Sequence, residues 1–288
     1  MLNKKRGESY MKNMIRKQPF KVCNMLFFFA TLISILIVSD LTYAELTPIK
    51  DYLLQIPIPK VKRVEGIAWD GKNLFVLDGE KEKIHRINPD SGELVQSLVL
   101  KKKKLKGLSF DEKERALWTA DEGKKTLMLL DPSNGKTLKT IPMKIPVRFD
   151  SIEGIAWDGE YLWLAMYAGF SSSFNKINLK TGEIERSMFA DCYPRGIATD
   201  GKELWSICYN MNKFPSKIDK RKMDKEDHKM LRSRTFIEDI DKDAEPTGLV
   251  FDGKHLWYAD RMSKRIIRVT PTIIKPVKPP VKPPAPIR

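Results

Sequence analysis

The stretch Ile152-Glu-Gly-Ile-Ala-Trp-Asp-Gly159, followed two residues later by Leu162-Trp163, is one copy of a phrase that the chain repeats. It recurs as Val64-Glu-Gly-Ile-Ala-Trp-Asp-Gly71 before Leu74-Phe75, and as Leu105-Lys-Gly-Leu-Ser-Phe-Asp111 before Leu117-Trp118. Two further copies are Pro194-Arg-Gly-Ile-Ala-Thr-Asp-Gly201 before Leu204-Trp205, and Pro246-Thr-Gly-Leu-Val-Phe-Asp-Gly253 before Leu256-Trp257. The anchoring glycines Gly66, Gly107, Gly154, Gly196 and Gly248 stand 41, 47, 42 and 52 residues apart. Within one copy, Ile67 and Trp69 alternate with Ala68 and Asp70, the period of a strand. Asp70-Gly71 is a tight-turn signal that folds the next strand, from Leu74 to Leu77, back onto the first. Residues 83–88 read as a third strand, Asn88-Pro-Asp-Ser-Gly92 as a second turn, and Glu93 to Leu100 as a fourth strand.

Four strands in about 45 residues, repeated five times, predict an all-β chain: a five-bladed β-propeller of four-stranded antiparallel blades. The fifth copy lacks its own fourth strand, because prolines follow Ile266 to Val269. The segment Leu53-Leu-Gln-Ile-Pro-Ile-Pro59 resembles the fourth strand of blade two, Leu138-Lys-Thr-Ile-Pro-Met143. Residues 48–58 are therefore expected to complete the last blade and close the ring, which removes exposed sheet edges. A small glycine in the innermost strand suits a crowded ring centre, and the Trp of the next strand fills the wedge between blades.

The flanks carry an address. Residues 25–38 are an apolar run of 14, preceded by seven Lys/Arg and followed by Leu41-Thr42-Tyr43-Ala44, with small residues placed for cleavage after Ala44. That is the plan of a secretory signal peptide, and the run is short for a membrane span, which needs about 20 apolar residues. The expected organisation is a signal peptide over 1–44, the propeller over 45–270 and an extended Pro/Lys-rich tail over 271–288. Export makes the mature protein extracytoplasmic, periplasmic or secreted. Cys192 and Cys208, the two cysteines of the mature chain, then meet an oxidising compartment, where both a disulfide and two buried thiols are consistent with the sequence.

Of the net charge of +15, residues 1–44 contribute +5 and the last fourteen residues +4. The remainder lies in mixed-sign patches, so no nucleic-acid partner is expected. Neither GxxxxGK[ST] nor GxGxxG occurs, and three Cys and three His at wide spacing exclude zinc-ribbon and iron–sulfur chemistry. His85, His228 and His255 have no Ser or Cys at a recognisable elbow, and His85 and His255 are expected to face outward from strands.

The phrase Pro-x-Gly-Ile-Ala-x-Asp-Gly-x-x-Leu-Trp, with the basic strand Arg265-Ile-Ile-Arg268, resembles NHL- and YncE-like propeller repeats over residues 64–270. Glu65-Gly-Ile-Ala-Trp69, repeated at Glu153, is similar to the first blade of gluconolactonase-type lactonases, and that resemblance implies a metal-ligating Glu65. The positions where those families carry further ligands hold Lys106, Arg195 and Thr247. The repeats are also similar in style to those of plant-type glutaminyl cyclases, whose Thr-Gln-Gly-Leu signature is missing here.

Two function classes follow. The residues before the anchor glycines, Glu65, Lys106, Glu153, Arg195 and Thr247, should all face the central channel. Glu65 and Glu153 read either as an acid–base or half-metal pair, or as members of an alternating ring of ion pairs. On the face that carries the loops between second and third strands, blades three and four are enlarged and aromatic. Tyr167, Phe170, Phe174, Tyr193, Tyr209 and Phe214 offer a rim above Arg195 and Glu153, as a ligand platform requires. The leading expectation is a monomeric, non-catalytic binder of a protein, peptide or glycan, with no catalytic residue, no metal ligand and no cofactor. The alternative is a metal-assisted enzyme at the channel mouth, lactonase-like or cyclase-like. Asp239, Asp241, Asp243 and Glu245 form an acidic loop that reads as solvated or as a calcium loop lacking its turn glycine. Residues 219–234 read as a short helical excursion.

Overall fold

The computed structural model describes residues 52–58, 61–100, 104–145, 149–169, 171–190, 192–209, 217–222, 240 and 244–270, and their regular structure is entirely strand. The described chain starts with β1 (Tyr52–Pro57). Blade one follows as β2 (Val64–Trp69), β3 (Leu74–Asp78), β4 (Lys83–Ile87) and β5 (Leu94–Val99). Blade two holds β6 (Leu105–Asp111), β7 (Ala116–Asp121), β8 (Thr126–Leu130) and β9 (Thr137–Pro142). Blade three holds β10 (Ser151–Trp157), β11 (Leu162–Ala168), β12 (Ser171–Ile177) and β13 (Ile184–Ala190). Blade four has three described strands, β14 (Tyr193–Thr199), β15 (Glu203–Tyr209) and β16 (Lys217–Lys222). Blade five is β17 (Pro246–Phe251), β18 (Leu256–Asp260) and β19 (Arg265–Val269), and β1 is its fourth strand.

Every pairing within a blade is antiparallel, and β1 pairs with β19 from Pro57↔Arg265 to Tyr52↔Val269. The ring is thus closed as expected, by the segment Tyr52–Pro57; residues 48–51 of the expected closing strand lie outside the described residues. The expected signal peptide over 1–44, the tail over 271–288, Phe170, Phe214, His228 and the acidic residues Asp239, Asp241 and Asp243 also lie outside them. One expectation is corrected. Lys217–Lys222 is a strand, so the expected helical excursion cannot begin at Asp219. The physical cause is pairing: Cys208↔Lys217 through Glu203↔Lys222 bind this segment to β15 in continuous register, a stronger local demand than helix propensity.

The inner strands neighbour one another in the cyclic order β2, β6, β10, β14, β17 and back to β2. Glycine makes that closeness feasible. A Cβ on Gly66 would lie 2.6 Å from the Gly107 backbone, and one on Gly196 would lie 2.6 Å from Gly248. A Cβ on Gly154 would lie 2.9 Å from Gly196, and one on Gly248 would lie 3.0 Å from the Ile67 nitrogen. The centre is packed backbone against backbone, so any side chain there would push two blades apart.

The core is divided among the wedges between blades, one apolar cluster to each. Trp118, Leu127 and Leu129 of blade two meet Ile152, Ile155 and Leu164 of blade three. Phe75 and Leu77 meet Phe110 and Leu117 between blades one and two, and Trp163 and Phe174 meet Ile197 and Leu204 between three and four. Trp205 and Ile207 meet Leu249 and Tyr258, and Trp257 and Ile266 meet Ile67 and Leu74, completing the circuit. The in–out alternation expected of each inner strand is therefore lost: Ile67 and Ala68 are both buried, because a neighbouring blade covers each face. Alternation survives on the outer strand β5, where Val95 and Val99 are exposed.

The aspartates that end the inner-strand phrase do more than reverse the chain. Asp158 Oδ1 accepts the N–H groups of Glu160 and Tyr161, while its Oδ2 accepts the Trp163 indole N–H at 2.8 Å. Asp111 and Asp252 hold Trp118 and Trp257 in the same way, at 3.0 and 2.7 Å. One side chain thus sets the turn and fixes the rotamer of the wedge tryptophan.

Candidate functional site

A β-bulge interrupts each inner strand at the anchor glycine or the residue before it. In blades one, three and four the unpaired residues are Glu65, Glu153 and Arg195. A bulge re-aims the extra side chain, and here it sets charged groups around the glycine ring. Glu65 Oε1 faces Arg63 Nε at 2.5 Å, and its Oε2 accepts from Lys106 Nζ of the next blade at 2.7 Å. Glu153 Oε2 accepts from Arg195 Nη1 at 3.1 Å, again across a blade boundary. Its Oε1 accepts from the Ser151 hydroxyl and, at 3.2 Å, from the Tyr193 hydroxyl. Thr247 is buried and donates toward the Val64 carbonyl.

The aromatic groups stand at the same strand ends. Tyr193 pairs in register with Tyr209, and its ring meets that of Tyr167 edge-on at a centroid distance of 4.7 Å. The Arg195 guanidinium lies 5.5 Å from the Tyr193 centroid. Burial raises the Tyr193 hydroxyl above its ordinary pKa, and the Glu153 carboxylate adds to the shift, so the hydroxyl stays protonated and donates. Burial alone would lower the Arg195 guanidinium; Glu153, Tyr193 and Glu65 outweigh it and hold the group above its ordinary value. A disulfide, Cys192–Cys208 with a Cα–Cα distance of 5.7 Å, ties the strand carrying Tyr193 to the strand carrying Tyr209.

Of the eight residues expected at the site, the structure brings Glu65, Glu153, Tyr167, Tyr193, Arg195 and Tyr209 to one mouth, and Phe170 and Phe214 fall outside the described residues. Phe174, expected on the rim, is instead fully buried in the wedge between blades three and four, under the Arg221 guanidinium at 4.8 Å. It lies mid-strand in β12, where the inward phase of the pleat decides its side. His85, expected to face outward, is also buried; its Nδ1 meets Ser97 Oγ at 2.9 Å, and burial holds the ring below its ordinary pKa. Sequence reasoning missed Arg63 and Ser151. The available signal was spacing: Arg63, Ser151 and Tyr193 each precede a charged bulge residue by two, on the same side of the strand.

The donor set does not fit the metal that the lactonase resemblance implies. A divalent ion needs carboxylates free of competing cations, and here each is already paired with a cation of the next blade, Glu65 with Lys106 and Glu153 with Arg195, while Arg63 faces Glu65 from its own strand. A second set of ligand-type groups, Cys192, Cys208 and Asp219, gathers within 4.8 Å, but its two sulfurs are bonded to each other. Among the described residues no helix is long and apolar enough to cross a membrane.

No protein-family model matches the sequence, and no curated protein matches it. Solved structures do. A glutaminyl cyclase from Myxococcus xanthus is similar with a TM-score of 0.54 and 9% identity, over 75% of this chain and 93% of that one. A catalytically inactive virginiamycin B lyase from Staphylococcus aureus, solved with quinupristin, has a TM-score of 0.42 and 19% identity, over 73% of this chain and 66% of that one. Hydrazine synthase from Kuenenia stuttgartiensis has a TM-score of 0.45 and 17% identity, over 70% of this chain and 56% of that one. The chain thus spans less than two thirds of the last two proteins. At such identities the likeness concerns the fold alone, and that fold is used by enzymes and by binding modules.

Proposed function

We propose that this chain is an exported, non-catalytic β-propeller that binds a protein, peptide or glycan on the face formed by blades three and four. One observation carries the reading. Tyr167 and Tyr193, each half-buried, meet edge-on beside the Glu153–Arg195 pair, and the half-buried Tyr209 stands in register with Tyr193, on strands fixed by a hydroxyl bond, an ion pair and a disulfide. Rigid aromatic groups beside a charged floor bind at low entropic cost. Acid–base catalysis by Glu65 and Glu153 would require a carboxylate free to exchange protons with a substrate, and both are held by internal donors. Export is supported by the sequence pattern of residues 1–44 and by the disulfide.

The test is the Tyr167→Ala, Tyr209→Ala double variant, screened beside the parent on peptide and glycan arrays. Loss of binding by at least ten-fold, with a melting temperature within a few degrees of the parent, is the expected outcome. Unchanged array binding together with a large drop in melting temperature would mean that the rings only pack their own loops.

A further inference from the structure

The channel mouth has an unequal distribution of charge. Among the described residues three cations, Arg63, Lys106 and Arg195, surround two carboxylates, and the carboxylates lie deeper: the Glu65 and Glu153 side chains are 9% and 7% exposed, against 42%, 21% and 19% for the three cations in that order. Both carboxylates are engaged, Glu65 by Lys106 and Arg63, and Glu153 by Ser151, Tyr193 and Arg195. The cations keep N–H groups to spare. Among the described residues one acceptor meets the Lys106 ammonium, which has three N–H groups, and Arg195 uses only Nη1, toward Glu153 and Tyr193. The mouth therefore presents spare N–H donors and positive charge to an incoming group, with its acceptors withdrawn beneath.

The glycine ring closes the floor. With backbones close enough that a Cβ would meet its neighbour at 2.6 Å, a chain cannot thread through the centre and must enter end-on. From the donors, the excess positive charge and the closed floor, we infer that the mouth receives the terminal carboxylate of a peptide. Lys106 and Arg195 take the carboxylate, and the last side chain lies against Tyr167, Tyr193 and Tyr209. This inference rests on the binding face proposed above and names its ligand. A planar guanidinium with Nε and Nη2 unused matches the two oxygens of a carboxylate. Tyr193 lies two residues from Arg195 along one strand, about 7 Å, the separation between a carboxylate and the far part of its own residue's side chain. A sugar fits less well, because the carboxylates that would accept from its hydroxyls, Glu65 and Glu153, lie beneath the cations at 9% and 7% exposure.

The probe is N-acetyl-glycyl-phenylalanine, compared with its carboxamide and with glucuronate, against the exported full chain by saturation-transfer NMR and titration calorimetry. The free acid is expected to bind at least ten-fold more tightly than the amide and than glucuronate, and to weaken as salt rises. Arg195→Gln and Lys106→Met should each erase the preference for the acid. Lys106→Met leaves the Glu153–Arg195 pair in place and so controls for misfolding of the first variant. Glu153→Gln removes the competing carboxylate and should tighten the acid severalfold, an effect that a merely structural ion pair would not produce. Equal binding of acid and amide, lost in Tyr167→Ala, would overturn the carboxylate assignment while sparing the aromatic face. Tighter binding of glucuronate, or no binding of the acid at millimolar concentration, would also overturn it.

Discussion

Blades one, two and five end their second strand differently from blades three and four, and that difference locates the site. In blade one the buried Asp78 accepts N–H groups from Lys62 and Arg63 ahead of the inner strand, and from Glu80 and Lys81 in the turn that follows it. Asp260 does the same in blade five, accepting from Glu245, Met262 and Ser263, and Asp121 accepts from Lys124 in blade two. The corresponding residues of blades three and four are Met166 and Cys208. In blade three the task passes to Asp150, whose carboxylate accepts from Gly169 and whose own N–H donates to the Tyr167 carbonyl. In blade four it passes to a covalent bond: Cys192 stands four residues before Gly196, as Lys62 stands four before Gly66, and it is joined to Cys208. An aspartate latch stops the strand and closes a short turn. Without it, β11 and β15 run on to Tyr167 and Tyr209, and the aromatic face occupies the space that the latches fill elsewhere.

The comparison can be broken most sharply at Asp78. Asp78→Ala leaves four backbone N–H groups without their acceptor, at an expected loss of about 4 kcal/mol, measured by urea unfolding. A loss of no more than about 1 kcal/mol would mean that the latch is not what holds the short turns. The covalent version comes next. Replacing Cys192 and Cys208 by Ser should destabilise the chain by about 3 kcal/mol, the loop-entropy value for a separation of 16 residues. Moving blade one's solution into blade four, as Cys208→Asp with Cys192→Lys, should recover part of that loss if the two latches are equivalent. No recovery would make the disulfide a device specific to the aromatic face.

The smallest effects come from pH. Burial alone would raise the Asp78 carboxyl, but its four backbone bonds prevail and hold it below the ordinary carboxylate value. Its folded pKa is thus lower than its unfolded one, so its contribution is complete above about pH 4 and is lost as pH falls through the folded value. Asp78→Asn should flatten that acid limb. His85 is shifted down by burial, so the unfolded chain takes up its proton first, and stability should begin to fall as pH drops below about 6.5. An acid limb unchanged in Asp78→Asn would assign the loss to other carboxylates, Asp252 first, since its turn bonds also hold it low against burial.

The features legible in the sequence were those that repetition amplifies. Five copies of one phrase expose the ring, the glycine that permits its centre, the Asp-Gly turns and the wedge tryptophans, because each recurs wherever the same local geometry is demanded. The shared mouth of Glu65, Glu153, Arg195 and the tyrosines followed from the same register. What departs from the repeat was harder to read. Nothing local states that His85 and Phe174 are buried: Phe174 is covered by Ile197 and Leu204 of the next blade, 23 and 30 residues on, and His85 meets Ser97 of the neighbouring strand, 12 residues on. Lys217–Lys222 carries a helix-like charge pattern, yet its pairing with β15 makes it a strand.

Sequence alone determined the five blades, their order and the ring's closure, since these depend on period and turn chemistry, which act over a few residues. Only the tertiary structure decided which charges neutralise one another, that Cys192 and Cys208 are joined, and that the carboxylates lie beneath the cations. Those outcomes depend on distances between separate blades and on which side chain reaches water. Both are set by how the blades pack around the glycine ring, which no single repeat specifies.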